Sequence, residues 1–150
     1  MQATNNRPPL QIKNKDKYIA AQVTRFISQF SIPKASTMPS PFPQPTLQPQ
    51  RALCAVSVSH PEKLSECFAA FYHAFFVELQ TIGKPEVFGE CLKKVLGEGD
   101  AEKVLEATGG PDAKKLLTEN TELALEEGAF GLPWFVATNV KGEKEGYVVM

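Results

Sequence analysis

Gly128-Ala129-Phe130-Gly131-Leu132-Pro133-Trp134-Phe135-Val136-Ala137 is the stretch on which the reading of this chain turns. Upstream of it the sequence is helix or loop throughout. Here it changes to strand, because Trp134, Phe135, Val136 and Ala137 are mostly bulky apolar residues of β type. Pro133 has no N–H and belongs at the start or edge of a strand. The Leu132–Pro133 bond is open to either isomer, and a cis bond is almost confined to X–Pro. In the cis form the Leu132 backbone faces outward and offers its N–H and C=O to a ligand, as an added strand would. The plain alternative is a strand start with nothing bound.

Downstream, residues 134–139 and 146–150 read as two strands, with Lys141-Gly142-Glu143 turning between them. Upstream lies a helix from Pro111 to Glu127, with Leu116, Leu117, Asn120 and Ala124 on one side. Lys114 and Lys115 near its start and Glu122, Glu126 and Glu127 near its end oppose the helix dipole, so a tertiary contact has to hold it. A helix at 101–108 is expected behind a Gly97–Asp100 turn, with Asp100 as its cap. Pro85 opens a helix to Leu96, with Val87, Phe88, Cys91, Leu92 and Val95 inward. The most hydrophobic helix is expected from Pro61 to Leu79. Leu64, Phe68, Phe71, Tyr72, Phe75, Phe76 and Leu79 give it a broad core face, and His73 is read as a packed or rim residue.

A short helix at Gln50–Ser57 points Leu53, Cys54 and Val56 inward. Residues 33–49 carry Pro33, Pro39, Pro41, Pro43, Pro45 and Pro49 and are expected to be an ordered, non-helical loop anchored by Met38, Phe42 and Leu47. A first helix spans about Asp16 to Phe30, with Ile19, Val23, Phe26, Ile27 and Phe30 as one apolar stripe and Asp16 or Asn14 as cap. Residues 1–15 are loop, since Pro8-Pro9 bars helix.

Composition narrows the function. The 150 residues are one domain's worth of chain, 43% apolar, with a formal net charge of −1. Nothing in that balance favours nucleic acid or an anionic membrane. No run approaches the ~20 apolar residues of a spanning helix, and no signal peptide is visible. Cys54, Cys67 and Cys91 form no C-x-x-C pair, and their odd number points to a reducing compartment. His60 and His73 are too far apart for a helical ligand pair, so no metal site is expected.

Gly128-Ala129-Phe130-Gly131-Leu132-Pro133 resembles the cis-proline loop of the kappa-class glutathione transferases. These belong to the DsbA-like branch of the thioredoxin superfamily, whose bacterial relatives include 2-hydroxychromene-2-carboxylate isomerases. Asn6-Arg7-Pro8-Pro9, Asn14-Lys15-Asp16-Lys17-Tyr18, Gln50-Arg51-Ala52-Leu53, Ile82-Gly83-Lys84-Pro85-Glu86-Val87-Phe88 and Lys115-Leu116-Leu117 resemble family segments in the same order. The resemblance covers about residues 4 to 146. It implies an α/β, thioredoxin-like fold of DsbA and kappa type with a large helical insertion, of which this chain is mostly α with a C-terminal β-hairpin. On that plan residues 1–15 are a loop of the thioredoxin-like half. Residues 16–127 are a helical subdomain. Residues 128–150 are the cis-proline loop and hairpin of an incomplete thioredoxin-like domain.

The resemblance also implies a function: a glutathione transferase of detoxifying type, joining glutathione as co-substrate to a small electrophile. Asn6, Lys15, Leu132 and Pro133 are the glutathione-binding candidates it supplies. Lysine suits a carboxylate of glutathione, and an asparagine amide both donates and accepts. The Leu132–Pro133 bond is expected to be cis, at the mouth of a cleft lined by Asn6 and Lys15. No catalytic residue is assigned, because the family serine, in a Ser-Pro-Tyr-type segment, precedes the position of Asn6. The chain is therefore expected to be truncated at both ends, departing from the family near Val148, and to conjugate glutathione weakly. The alternatives are a glutathione-dependent 2-hydroxychromene-2-carboxylate isomerase and a non-catalytic helical interaction module. A disulfide oxidoreductase is set aside for want of C-x-x-C. A homodimer and a mitochondrial, peroxisomal or cytosolic location follow by family, although Val148-Val149-Met150 is no peroxisomal address.

Overall fold

A computed structural model describes residues 11–35, 37–131 and 133–148. In order these form α1 (Lys15–Phe30), α2 (Leu47–Ser59), a 3₁₀ turn (Pro61–Lys63), α3 (Leu64–Phe76), α4 (Pro85–Leu96), α5 (Glu98–Thr108), α6 (Pro111–Glu126), β1 (Trp134–Thr138) and β2 (Lys144–Val148). Two compact units result, one of residues 27–117 and one of residues 1–26 with 118–150. The division cuts through α1 and α6, because it follows packing. Boundaries read from sequence at 15/16 and 127/128 follow element ends.

In the unit of residues 27–117, α2 packs on α5, α4 on α5 and α3 on α4. Phe88, Cys91 and Leu92 recur at helical spacing on α4 and are all buried. They close on Val56 of α2, Cys67 and Phe71 of α3, and Ala101 and Val104 of α5. Pro85 sits in the first turn of α4 behind an extended Lys84, and Gly97 ends the helix at φ 82°, ψ 165°, a conformation nearly exclusive to glycine. Gly97 makes that break alone. Helix α5 therefore starts at Glu98, three residues earlier than expected, and Asp100 lies in its first turn instead of capping it. Glu98 and Asp100 there face the positive end of the helix dipole.

Helix α3 is shorter than expected, and its broad apolar face divides. Cys67, Phe71 and Ala74 form the buried stripe, the width that packing against one side of a helix can cover. Phe68 and Tyr72 are exposed and stack on each other at 6.3 Å, and Tyr72 stacks on Phe76 at 5.9 Å. In the described part of the proline-rich segment the anchors are not Met38, Phe42 and Leu47, which are all exposed. Pro39 is fully buried, and the buried Gln44 donates from Nε2 to the Gln80 carbonyl at 3.4 Å. The Ala35 N–H donates to the Phe76 carbonyl at 2.9 Å. Proline suits the anchoring role because burying it strands no N–H donor. The Ser40–Pro41 and Phe42–Pro43 bonds are cis. Helix α2 begins at Leu47, three residues before the expected start. Pro49 fits its first turn, where no intrahelical N–H bond is owed.

The other unit holds the hairpin. Strands β1 and β2 pair antiparallel from Trp134 opposite Val148 to Thr138 opposite Lys144, so β2 starts two residues earlier than expected. Asn139 organises the turn: its Oδ1 accepts the Lys141 and Glu143 N–H groups at 2.9 and 3.1 Å. The Trp134 indole crosses over Gly146, with Phe130 edge-on at 5.7 Å. Lys144 Nζ reaches Glu127 Oε1 at 2.7 Å, placing a cation at the acidic end of α6. That is one tertiary contact of the kind the unfavourable charge order of α6 calls for. The apolar stripe of α1 forms but buries none of its residues: Ile19, Val23, Phe26 and Phe30 all remain exposed.

Candidate functional site

The four residues singled out by sequence divide into two described and two not. Asn6 and Leu132 lie outside the described residues, so the geometry at Asn6 and the isomer of the Leu132–Pro133 bond do too. Lys15 and Pro133 are described, and both belong to the unit of residues 1–26 with 118–150. Helix α1 and strand β1 are not among the element pairs that pack extensively.

Lys15 is the first residue of α1. The chain turns into the helix at Asn14, whose φ of 64° asparagine tolerates better than most residues. The Asn14 carbonyl accepts the Tyr18 N–H at 3.2 Å, which places Asn14 at the cap, and the Lys15 N–H donates to the Ile12 carbonyl at 3.1 Å. Lys15 is half-buried and, among the described residues, has no ion pair. Lys13 and Lys17 flank it, with Asp16 the one nearby carboxylate in that run. A cationic cluster at the positive end of a 16-residue helix suits an anionic group.

Pro133 is exposed and immediately precedes β1, where a residue without an N–H breaks no ladder bond. The next residue brings a feature that sequence reasoning missed. Trp134 Nε1 is buried and has no acceptor among the described residues. A buried indole N–H ordinarily finds a partner. A donor unpaired among the described residues and close in sequence to the Leu-Pro pair is compatible with a ligand rich in carbonyls and carboxylates, as a peptide is. The aromatic position was legible in the sequence; the missing acceptor was not.

Two other residues acquire partners that sequence did not supply. His73 is exposed, with Nδ1 3.3 Å from Glu78 Oε1. His60 places Nε2 3.5 Å from Asp100 Oδ2 of α5. The three cysteines are buried, and none of them forms a disulfide among the described residues. Burial pushes the Cys67 and Cys91 thiols up, away from the reactive thiolate. None of the described helices is long and apolar enough to cross a membrane.

A mostly helical chain that ends in an antiparallel hairpin behind a Leu-Pro loop is one portion of a DsbA-like architecture, and comparison with known proteins agrees. The model of the DSBA-like thioredoxin domain matches residues 1–149, and the chain belongs to that family. It is similar to human glutathione S-transferase kappa 1, at 29% identity over 143 residues. It is similar also to the rat kappa 1 protein at 26% and to glutathione S-transferase kappa 2 of Caenorhabditis elegans at 25%. The human and rat alignments take in 91% of this chain and 62% of each relative; the nematode one takes in 90% and 61%. The chain thus spans a little under two thirds of the length of these relatives. Among solved structures, a Nitrosomonas europaea protein named for disulfide isomerase superposes with a TM-score of 0.70 at 19% identity, over 93% of this chain and 67% of that one. That likeness bears on the fold, and the DsbA-like fold expected from sequence is borne out.

Proposed function

We propose that this chain serves a glutathione transferase of kappa type, joining the glutathione sulfur to an electrophile. The observation that carries the reading is the similarity to three kappa-class transferases along nine tenths of the chain. The cationic start of α1 and the Leu-Pro loop add chemical support. In the reaction the thiol loses its proton and the thiolate attacks an electrophilic carbon. A C–S bond forms, and the leaving group departs with its electron pair. Fixing and stabilising the thiolate is the task of such a site. Lys15 would hold a glutathione carboxylate, and Asn6 would exchange hydrogen bonds with the same molecule. The Leu132 backbone ahead of Pro133 would pair with its peptide groups.

Thiol–disulfide exchange is disfavoured for this chain's own cysteines. Such chemistry draws on an accessible thiolate, and Cys54, Cys67 and Cys91 are buried without a C-x-x-C partner.

Titration calorimetry with glutathione, followed by a conjugation assay with an aryl halide, tests the proposal. Glutathione binding is expected, and Lys15→Ala should weaken it about tenfold, the loss of roughly 1.4 kcal/mol. A chain that binds no glutathione, or a Lys15→Ala variant of unchanged affinity, refutes it. Turnover of a hydroxychromene carboxylate in place of the aryl halide would make the chain an isomerase of the same site.

A further inference from the structure

A second concave site lies wholly within the unit of residues 27–117 and shares no residue with the glutathione candidates. It is a groove of about 270 Å³ between α2, α5 and the start of α6, walled by Val58, Val104, Ala107 and Leu116. Ser59 and His60 line it as well. Successive residues inside a helix do not face each other, so the side chains of two neighbours meet only where the helix ends. Here Pro61 disfavours helical geometry for the residue before it. His60 leaves α2 at φ −141°, ψ 61°, immediately after Ser59, the last helical residue. The ring can then turn back on the hydroxyl, and His60 Nδ1 stands 2.9 Å from Ser59 Oγ.

The other ring nitrogen, Nε2, stands 3.5 Å from Asp100 Oδ2 of α5. A carboxylate there favours the neutral tautomer with its proton on Nε2, which leaves the Nδ1 lone pair toward Ser59. Lys103 Nζ donates to the other oxygen, Asp100 Oδ1, at 2.8 Å, and this bond keeps the carboxyl below the usual carboxylate range. The Ser59 hydroxyl has a second acceptor, the Ala55 carbonyl at 2.9 Å, and rotation of the O–H alone redirects its proton to Nδ1. A hydroxyl within hydrogen-bond reach of a base, with the base oriented by a third group, is the arrangement that activates a nucleophile. Asp112 and Ala113, in the first turn of α6, also line the groove, and their N–H groups have no intrahelical acceptor. Such N–H groups are the donors that receive a developing oxyanion. Lys103 is already matched by Asp100, and the Asp112 carboxylate sits at the positive end of the helix dipole, so an uncharged occupant suits these apolar walls.

We propose that Ser59 and His60, with Asp100 as a positioning residue, hydrolyse a small uncharged aryl ester held in this groove. Ser59 Oγ attacks the ester carbonyl carbon as His60 Nδ1 takes its proton, and the C=O π pair moves onto the carbonyl oxygen. Collapse breaks the bond from the acyl carbon to the aryloxy oxygen, and the departing aryloxide takes the proton from Nδ1. Water then attacks the acyl-serine by the same route, which releases the carboxylic acid and restores the Ser59 hydroxyl.

The test is release of naphthol from 1-naphthyl acetate by the full chain with no glutathione present, paired with labelling by diisopropyl fluorophosphate and peptide mass mapping. Saturable release and a label on Ser59 are expected. Ser59→Ala, a change at an exposed position, should bring release down to the buffer rate. His60→Gln should lower it about a hundredfold or more, the range for loss of a general base. Asp100→Asn should lower kcat about tenfold and leave KM unchanged, a split that a merely structural role would not produce. Ala107→Leu, which narrows the groove, should raise KM instead. Asp112→Asn should speed the reaction, because the Asp112 carboxylate works against the oxyanion. Release no faster than with free imidazole at equal concentration overturns the proposal, and so does release that persists in Ser59→Ala. A label on any residue other than Ser59 also overturns it. With glutathione left out, none of these results bears on the transferase reading.

Discussion

Gly83→Ala should destabilise the helical unit, and the structure sets the scale. A Cβ built on Gly83 stands 2.4 Å from the Pro45 carbonyl oxygen, about 1 Å inside the ordinary 3.4 Å limit of contact. The obstructing atom is backbone, so no side chain can rotate out of the way. Both sides are pinned nearby. Gln44, next to Pro45, is buried and bonded to the Gln80 carbonyl, and Ile82, next to Gly83, is 4% exposed. Overpacking of this kind costs about 1–3 kcal/mol. Alanine also restricts the unfolded chain, which returns roughly 0.4–1 kcal/mol. The net expectation is a loss of about 1–2 kcal/mol, equivalent to roughly 2–8 °C in thermal midpoint for a chain of this size. Gly99→Ala is the matched control. Gly99 lies in α5 with nothing within 4 Å of its built Cβ, so helix propensity alone should stabilise it by a few tenths to ~1 kcal/mol. Urea titration followed by far-ultraviolet circular dichroism reads both. A Gly83→Ala variant as stable as the parent would refute the packing of the proline-rich loop against the α3–α4 connection.

Gly146→Ala should displace the Trp134 indole, whose Cζ2 lies 2.3 Å from the built Cβ, and so shift the emission of the chain's single tryptophan; an unchanged spectrum would count against the cross-strand packing. The Cys67 and Cys91 thiols, pushed up first by burial, should react with an aryl disulfide at neutral pH at least a hundredfold more slowly in the native state than in urea, and fast native labelling would contradict their placement. The Lys103 ammonium, and secondarily His60, holds the Asp100 carboxyl below the usual carboxylate range. A depressed native pKa contributes stability above the unfolded value and loses it as pH falls through the native one. Asp100→Asn should therefore melt slightly lower than the parent at neutral pH, with the two midpoints converging in acid; a gap that persists in acid assigns the loss to something other than charge. Among the described residues the sheet has two strands, with Phe135 and Val136 both exposed, and a hairpin of that kind is marginal alone. The Phe135 and Val136 amides should exchange far faster than those of Val56 and Leu92, and slow, concentration-independent protection in a monomer would rule this out.

The sequence determined the elements whose boundaries are chemical. Pro85 and Gly97 delimit α4 because one residue lacks an N–H and the other adopts a backbone that side chains forbid. The change from helical spacing to consecutive bulky residues after Pro133 marked β1, and the ordered set of segments around Phe130-Gly131-Leu132-Pro133 marked the family. Lys15 and Pro133 were legible as candidates through that register alone, since an isolated lysine or proline carries no such signal. Tertiary structure decided what periodicity cannot contain. A helical repeat states which residues share a face, not whether another element covers it. Cys67, Phe71 and Ala74 became core while Phe68 and Tyr72 of the same helix stayed exposed, and the α1 stripe formed without being buried. The cluster of His60, Asp100 and Lys103 joins residues about 40 positions apart. The packing of α2 on α5 creates that proximity, and local sequence holds no trace of it.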